Sequence, residues 1–302
     1  MTRWRVHVGA HKTGTTHLQE LLEESEVSLL EAGVDVLRTC SLSPIVRGRP
    51  QPRSPRLKNL VTGLFLGRQN ENLHDLLRVM IRGKPVTILS HEDQLGYTQD
   101  LFRPKIYNGS ERFWLLESLP ADDTDIFLSV RSFDTLFSSA FCEILKPFYD
   151  ARDRLKQRLQ TIRTQPPSWC ELAERIAARF PQSRVHVWKF EDYVRQPEFV
   201  IEALTGVSVG KMPARPAPNR TSSPSMRAIA MAEALDPRLG VQDRIREVRK
   251  LFDNNPKQPG EQLDLVPEAD AIWLRNHYLR DLENMRASGR ISLLQPPHLG
   301  TA

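Results

Sequence analysis

The sequence predicts an α/β protein with three layers, α/β/α, built around a mostly parallel central sheet. Three observations support this prediction. Short apolar runs alternate with longer amphipathic patterns, which is the order of a parallel sheet with crossover helices. The 302 residues, 40% of them hydrophobic, are enough for a sizeable core. The first apolar run also leads through a glycine-containing loop directly into a helical pattern.

A strand–helix–strand unit begins the chain. Residues 3–9 predict a buried strand, and leucines near helical spacing predict a helix over 15–32. Gly33 stands where a glycine ends a helix, and Val34–Leu37 predicts the second strand. The crossover between the two strands should be right-handed.

Further along the chain, apolar runs and helical spacing alternate again. Four prolines and four arginines make 40–56 a loop. We expect 1–302 to form a single domain, in which 1–222 carries the functional motifs and 223–302 is helical. The remaining elements are strands at Val86–Ser90, 126–130 and 184–190, and helices at 133–145, 169–180 and 267–286.

Composition and charge limit the class of protein. The net charge of +5 and the pI near 9.2 suit an anionic cosubstrate or an acidic acceptor. The three cysteines are far apart, so neither a disulfide framework nor a zinc site is expected, and Cys142 should be a buried apolar residue. Because the sequence shows neither a signal peptide nor an apolar run of about 18 residues, we expect a cytoplasmic protein with no transmembrane segment.

The loop after the first strand is the most informative segment. A helix N-terminus presents backbone N–H groups and partial positive charge, and this one adds the full charge of a lysine and three threonine hydroxyls. Such a loop predicts binding of a phosphate or of a group isoelectronic with it. We expect the anion to be held by His11, Lys12, Thr13, Gly14, Thr15 and Thr16.

The position of the lysine narrows the choice of anionic ligand. Gly9 and Gly14 have the separation of the two glycines in a Walker A loop, but Thr15 stands where that motif has its lysine. The string 11–16, His-Lys-Thr-Gly-Thr-Thr, resembles the 5′-phosphosulfate loop of sulfotransferases. That family uses 3′-phosphoadenosine 5′-phosphosulfate (PAPS). The resemblance implies a fold of the P-loop nucleotide-hydrolase type and PAPS as cosubstrate.

A second anion-binding group follows the strand at 126–130. Arg131 ends that strand, and Ser139 lies eight residues later in the following helix. An arginine at the carboxyl end of a central strand lies at the ligand edge of the sheet and can grip a phosphate with two hydrogen bonds. The pair resembles the 3′-phosphate site of sulfotransferases, although Ser132 and Phe133 replace the usual Asn-Pro.

Candidates for a general base follow the strand Val86–Ser90. Ser90 and Glu92 match the Ser-x-Glu of bacterial and Golgi N-sulfotransferases, which implies that Glu92 deprotonates the acceptor. His91 is the competing candidate, because cytosolic sulfotransferases use a histidine near this position. For Asp93 we expect a helix-capping role. The resemblance also implies that Lys12 stabilises charge on the leaving phosphate oxygen and that no metal takes part.

Two later segments resemble the family more weakly. The strand at 184–190 leads into Phe190-Glu191-Asp192, where the family often has Tyr-Glu-Asp. Because phenylalanine lacks the tyrosine hydroxyl, we expect Phe190 to pack in the core. Arg220, in a segment rich in proline, resembles the residue of a late loop that contacts the 3′-phosphate. Segments 47–68 and 144–165 would frame the acceptor site.

The sequence therefore predicts a PAPS-dependent sulfotransferase that acts on a hydroxyl or amine of a glycan, a lipid or a small metabolite. Two alternatives stay open: a P-loop kinase or NTPase with an unusual loop, and a non-catalytic nucleotide-binding protein. Nucleic-acid binding is not expected, because the arginines of 47–56 lack interleaved aromatic residues. The sequence does not set the acceptor or the oligomeric state.

Overall fold

The structure is a computed structural model that describes residues 2–37, 77, 80–208 and 223–296. Within these residues, six parallel strands form one sheet in the order β2-β3-β1-β4-β5-β6. Helices flank this sheet, which confirms the predicted α/β fold. The strands are β1 (Arg3–His7), β2 (Val34–Leu37), β3 (Val86–Ser90), β4 (Thr124–Val130), β5 (Arg184–Lys189) and β6 (Ile291–Leu293).

The helices follow the strands along the chain. In the described residues they are α1 (Thr15–Glu24), α2 (Glu26–Glu31), α3 (Trp114–Glu117), α4 (Phe133–Ile144), α5 (Ala151–Thr161), α6 (Trp169–Arg179), α7 (Phe190–Arg195), α8 (Pro197–Thr205), α9 (Met226–Glu233), α10 (Val241–Asn254) and α11 (Glu268–Ala287). Three short 3₁₀ turns, at Glu92–Gln94, Thr98–Phe102 and Ala121–Asp123, lie between β3 and β4.

Two of the predicted elements are wrong in detail. The single helix over 15–32 is broken at Ser25, where the bend lets the largely buried Glu26 pair with Arg82. The leucine spacing continues across the bend, so periodicity could not show it. The C-terminal part is not entirely helical either, because β6 pairs with β5 and extends the sheet.

The core explains why β4 is apolar along its whole length. All seven residues of β4 are buried, as expected for a strand covered by helices on both faces. Successive side chains point to opposite faces, so Ile126 and Leu128 join one hydrophobic cluster while Phe127 joins the other. As predicted, Cys142 lies buried in this core.

The strand order creates the crevice in which a ligand would lie. The chain leaves β1 toward β2 on one side of the sheet and leaves β4 toward β5 on the other. Loops after two such neighbouring strands diverge, and ligands of open α/β sheets bind between them. The loop at 8–14 and Arg131 therefore meet at one edge. None of the helices in the described ranges combines the length and apolar character needed to cross a bilayer.

Candidate functional site

The loop after β1 stays attached to β4 for three residues beyond the strand. Val8 donates its N–H to the Phe127 carbonyl at 2.9 Å, and the Ser129 N–H donates to the Gly9 carbonyl at 2.6 Å. Gly9 has a φ of +106°, and a Cβ there would lie 3.0 Å from the Cβ of Glu92. A glycine is required at this point because the loop passes directly against Glu92.

Two buried hydroxyls fix the shape of the loop. Both Thr13 and Thr15 donate their Oγ1 protons to the Ala10 carbonyl, at 2.7 and 3.1 Å. These two threonines, predicted as ligands of the anion, thus have their protons engaged within the loop. Lys12 takes a left-handed conformation, with a φ of 64°.

The turn leaves a set of backbone donors around one point. Gly14, with a φ of 87°, is the N-cap of α1, and no side chain caps the helix. Within the described part of the chain, the N–H groups of residues 12–16 donate to no acceptor. The exposed Thr16 lies beside them on the first turn. Because uncapped N–H groups and the helix dipole attract negative charge, the geometry of this loop suits the predicted anion.

His11 is held by a tyrosine that the sequence reasoning missed. The hydroxyl of Tyr107 accepts the His11 N–H at 3.2 Å and lies 3.0 Å from His11 Nδ1. Tyr107 is fully buried with a φ of 58°, and its burial raises its pKa well above the ordinary value. On its other side, His11 Nε2 lies 3.4 Å from Asp93. His11 is thus a support of the loop as well as a candidate ligand.

The ammonium of Lys12 lies beside an acidic residue that was also not predicted. Its Nζ is 3.3 Å from Oε2 of Glu143, and Nζ of Lys146 is 2.9 Å from the same oxygen. Burial alone would raise the pKa of Glu143, but the two lysines outweigh it and bring that pKa to about 2. The carboxylate therefore stays charged at any ordinary pH.

Arg131 lies directly against the loop. Its Nη1 donates to the Lys12 carbonyl at 2.9 Å, and its Nε donates to the hydroxyl of Thr135 at 3.0 Å. The guanidinium carbon sits 4.5 Å from the centre of the Phe190 ring. Partial burial lowers the pKa of Arg131, and nearby carboxylates act against that shift. Its Nη2 makes no hydrogen bond within the described residues, which leaves donors for a ligand.

One stripe along α4 connects Arg131 with Lys12. Its three members, Thr135, Ser139 and Glu143, are spaced by four residues and are the only residues of this helix that are not buried. Such spacing places side chains on one face of a helix, about 6 Å apart along its axis. Because Thr135 bonds to Arg131 and Glu143 contacts Lys12, Ser139 lies on the stripe between the end at Arg131 and the end at Lys12.

The two candidate bases differ in their surroundings. Glu92 is half-buried beside Gly9, and its Oε2 accepts a hydrogen bond from the Gln19 amide at 3.1 Å. His91 is only 2% exposed, and its Nδ1 accepts the N–H of Asp93. The expected capping role of Asp93 is therefore wrong, because His91 is the N-cap of this turn.

The segment after β5 closes the other side of the loop. A Cβ at Gly14 would lie 3.0 Å from the Tyr193 ring and 3.2 Å from the Phe190 ring. Phe190 begins α7 instead of continuing the predicted strand, and its ring packs against both Gly14 and Arg131. The hydroxyl of Tyr193 lies 2.7 Å from Nδ1 of His17, one turn into α1.

Some predicted residues cannot be placed. Arg220 and the acceptor segment 47–68 lie outside the described residues, whereas 144–165 contains α5. The described residues bring together no group of three or more His, Cys, Asp or Glu side chains suited to a metal ion.

Comparison with known proteins adds one similarity. No protein-family model matches the chain, and no curated protein matches it. Among solved structures, the chain is similar to the crystal structure of a sulfotransferase from Alicyclobacillus acidocaldarius. The two are 14% identical with a TM-score of 0.40, over 84% of this chain and 95% of the other. A similarity of that degree assigns neither an activity nor a ligand to this chain.

Proposed function

We propose that this protein is a sulfotransferase that moves a sulfuryl group from PAPS to a hydroxyl or amine acceptor. The observation that carries the proposal is the 2.9 Å hydrogen bond from Arg131 to the Lys12 carbonyl, which joins two anion-binding groups in one crevice. A cosubstrate with a 5′-phosphosulfate and a 3′-phosphate needs two such groups. The sequence of the loop, with its resemblance to sulfotransferases, supports the same assignment.

The two ends of the cosubstrate would bind to different parts of the crevice. The backbone N–H groups of 12–16 and the Lys12 ammonium suit the 5′-phosphosulfate. Arg131 and Ser139 suit the 3′-phosphate, because Nη2 of Arg131 makes no hydrogen bond within the described residues and Ser139 lies half-buried on the accessible stripe of α4.

Two residues would do the chemistry. Glu92 takes the proton of the acceptor while the acceptor oxygen or nitrogen bonds to sulfur. As the bond from sulfur to the bridging oxygen breaks, Lys12 stabilises the negative charge that develops on the leaving phosphate. Glu92 is a better base than His91 for an external acceptor because His91 is almost fully buried. PAPS supplies the activated sulfuryl group.

Calorimetry with 3′-phosphoadenosine 5′-phosphate (PAP) tests the cosubstrate class. We expect PAP to bind without Mg²⁺ and more tightly than AMP or ATP. Arg131→Ala should remove the preference for the 3′-phosphate. Arg184→Ala, which deletes an exposed arginine at the opposite edge of the sheet, should bind PAP as the wild type does. A preference for ATP that requires Mg²⁺ would contradict the proposal and favour a kinase.

A second experiment separates an enzyme from a nucleotide-binding protein. With PAPS and a panel of glycan, lipid and small-molecule acceptors, we expect turnover that Glu92→Gln abolishes while PAP binding persists. Binding of PAP with no sulfated product from any acceptor class would favour a non-catalytic role.

A further inference from the structure

Glu143 contacts the Lys12 ammonium, the group that an anionic ligand would also bind. Its carboxylate oxygen lies 3.3 Å from the Lys12 ammonium, the cation predicted to meet the phosphosulfate. We propose that Glu143 competes with the ligand's 5′-anion for Lys12 and thereby sets how strongly the crevice holds its nucleotide. The proposal rests on the proposed function and adds a regulating residue to that site.

The location of Glu143 on α4 argues for this role. It lies in the last turn of the helix, where the helix dipole disfavours a negative charge. Only 36% of its side chain is exposed, so water compensates that charge in part. The positive charges of Lys12 and Lys146 supply the remaining compensation. The contact with Lys12 joins residues that are 131 positions apart in the sequence.

Lys146 makes the exchange possible. It lies three residues after Glu143, just beyond the end of α4, and its Nζ is closer to the shared oxygen, at 2.9 Å, than that of Lys12. When Lys12 turns toward an incoming anion, Glu143 keeps Lys146 as a partner. Without Lys146, the carboxylate would hold Lys12 more strongly, since it would have no other cation at hand.

The stripe on α4 makes the competition specific to one end of the nucleotide. Glu143 contacts Lys12, whereas the other end of the stripe, Thr135, contacts Arg131. A ligand with a 5′-phosphate must displace Glu143 or accept its repulsion. A ligand with only a 3′-phosphate avoids Glu143, so the two should respond differently to its replacement.

Binding of PAP and of adenosine 3′-phosphate to Glu143→Gln tests the proposal. We expect the Kd for PAP to fall by up to about fivefold, the upper end of the range for one partly exposed ion pair, and the Kd for adenosine 3′-phosphate to stay unchanged. Glu117→Gln is the matched control, because it removes the same charge from the Arg179 pair before β4, at the opposite edge of the sheet. Thermal unfolding of each variant checks that it is folded.

A double-mutant cycle with Lys146→Gln gives the second readout. Acting through Glu143, Lys146→Gln should weaken PAP binding in the wild type and have no effect in the Glu143→Gln background. An equal effect in both backgrounds would mean that Lys146 attracts the ligand directly, which overturns the exchange. If the wild type binds PAP and Glu143→Gln binds it no more tightly, the competition proposed for Glu143 is overturned. The sulfotransferase assignment would remain intact in that case. Wild type that binds no PAP overturns both.

Discussion

Lys12 combines a strained backbone with a charge that the proposed reaction needs. A left-handed φ of 64° is uncommon for a residue with a side chain, and its carbonyl is held by Arg131. Backbone strain of this kind concentrates at functional sites, where the surrounding structure maintains it. The geometry of the loop thus agrees with the chemical role predicted for this lysine.

Lys12→Ala tests that role. Loss of the ammonium removes the charge opposite the leaving oxygen, so we expect turnover with PAPS to fall by at least about 100-fold. Lys250→Ala, at an exposed position of α10 outside the segments expected to frame the acceptor site, should leave turnover unchanged. Near-normal turnover of the Lys12 variant, measured as sulfated product per enzyme, would contradict the mechanism.

His7 makes the stability of the protein depend on pH. It is fully buried at the end of β1, 2.9 Å from the Ser90 hydroxyl, and burial lowers its pKa from 6.5 to about 3. Below pH 6.5 the unfolded chain binds a proton that the folded protein rejects, so folding stability decreases as the pH falls toward 3.

We therefore expect the free energy of unfolding to fall between pH 6.5 and 4.5, with His7 contributing up to about 1.4 kcal/mol per pH unit. Urea unfolding at several pH values measures the slope. His7→Asn, which keeps a polar group near Ser90 but does not titrate, should show a shallower slope. Equal slopes in the two proteins would show that His7 is not the group responsible. Asp125 and Glu143, with pKa values of about 2, lose their stabilising charge only at lower pH.

At this scale the sequence identified the groups that lie close together along the chain or at strand ends. The loop at 11–16, Glu92 and Arg131 were predicted as site residues because a motif or a strand end marked them, and the structure places the loop against both Glu92 and Arg131. Tyr107 and Glu143 were not found, because their contacts with His11 and Lys12 cross 96 and 131 residues. Neither residue carries a local signal, so only the fold reveals it.

At the scale of elements, the start of α1 depends on Gly14. Its φ of 87° favours glycine, and a Cβ there would crowd the Tyr193 and Phe190 rings, at 3.0 and 3.2 Å. Gly33 has the same φ of 87°, but there a Cβ would meet only Pro85, at 3.6 Å. The two glycines therefore share the backbone strain and differ in crowding.

Gly14→Ala and Gly33→Ala separate these effects. We expect each to destabilise the protein by about 1–2 kcal/mol through the left-handed backbone. Only Gly14→Ala should also weaken PAP binding, because its methyl group pushes the loop away from α7. Thermal unfolding and calorimetry measure the two quantities. Equal PAP affinity in both variants would show that α7 does not shape the loop.

Element prediction was right where each local pattern matched its surroundings. Val34–Leu37 and Val86–Ser90 have the predicted bounds, and Gly33 ends its helix in the left-handed conformation. Phe190 was assigned to a strand because it is apolar and follows one. It begins α7 instead, and its ring packs on Gly14 and Arg131. These contacts join residues far apart in the sequence, so the local pattern could not indicate them.

At the scale of the whole molecule, α11 is connected to the candidate site through α6. Asp281 on α11 accepts hydrogen bonds from the Trp169 N–H and from the Ser168 hydroxyl, both at 2.6 Å. Its carboxylate thereby caps the start of α6. The Trp169 indole in turn donates to the Arg131 carbonyl at 2.8 Å. The helix α11 thus supports the predicted 3′-phosphate site through α6, and it also packs on α4, where Tyr278 contacts Phe133.

Asp281→Asn tests this support. An amide cannot accept all the hydrogen bonds of the buried carboxylate, so we expect a loss of about 1–3 kcal/mol in urea unfolding. The Kd for PAP should rise as well, because Trp169 no longer fixes Arg131. Glu283→Gln, an exposed change on the same helix, is the control. A destabilised Asp281 variant with unchanged PAP affinity would limit α11 to a purely structural role.

The strand order also has a consequence for synthesis on the ribosome. β1 is made first yet lies in the middle of the sheet, and its neighbours β3 and β4 begin only at Val86 and Thr124. At about 5–20 residues per second, the nascent chain leaves the backbone of β1 unpaired, and its apolar Trp4 and Val6 uncovered, for several seconds before either partner strand exists. Of the described strands, the one that leads into the candidate anion loop therefore waits longest for a pairing partner while the protein is being made.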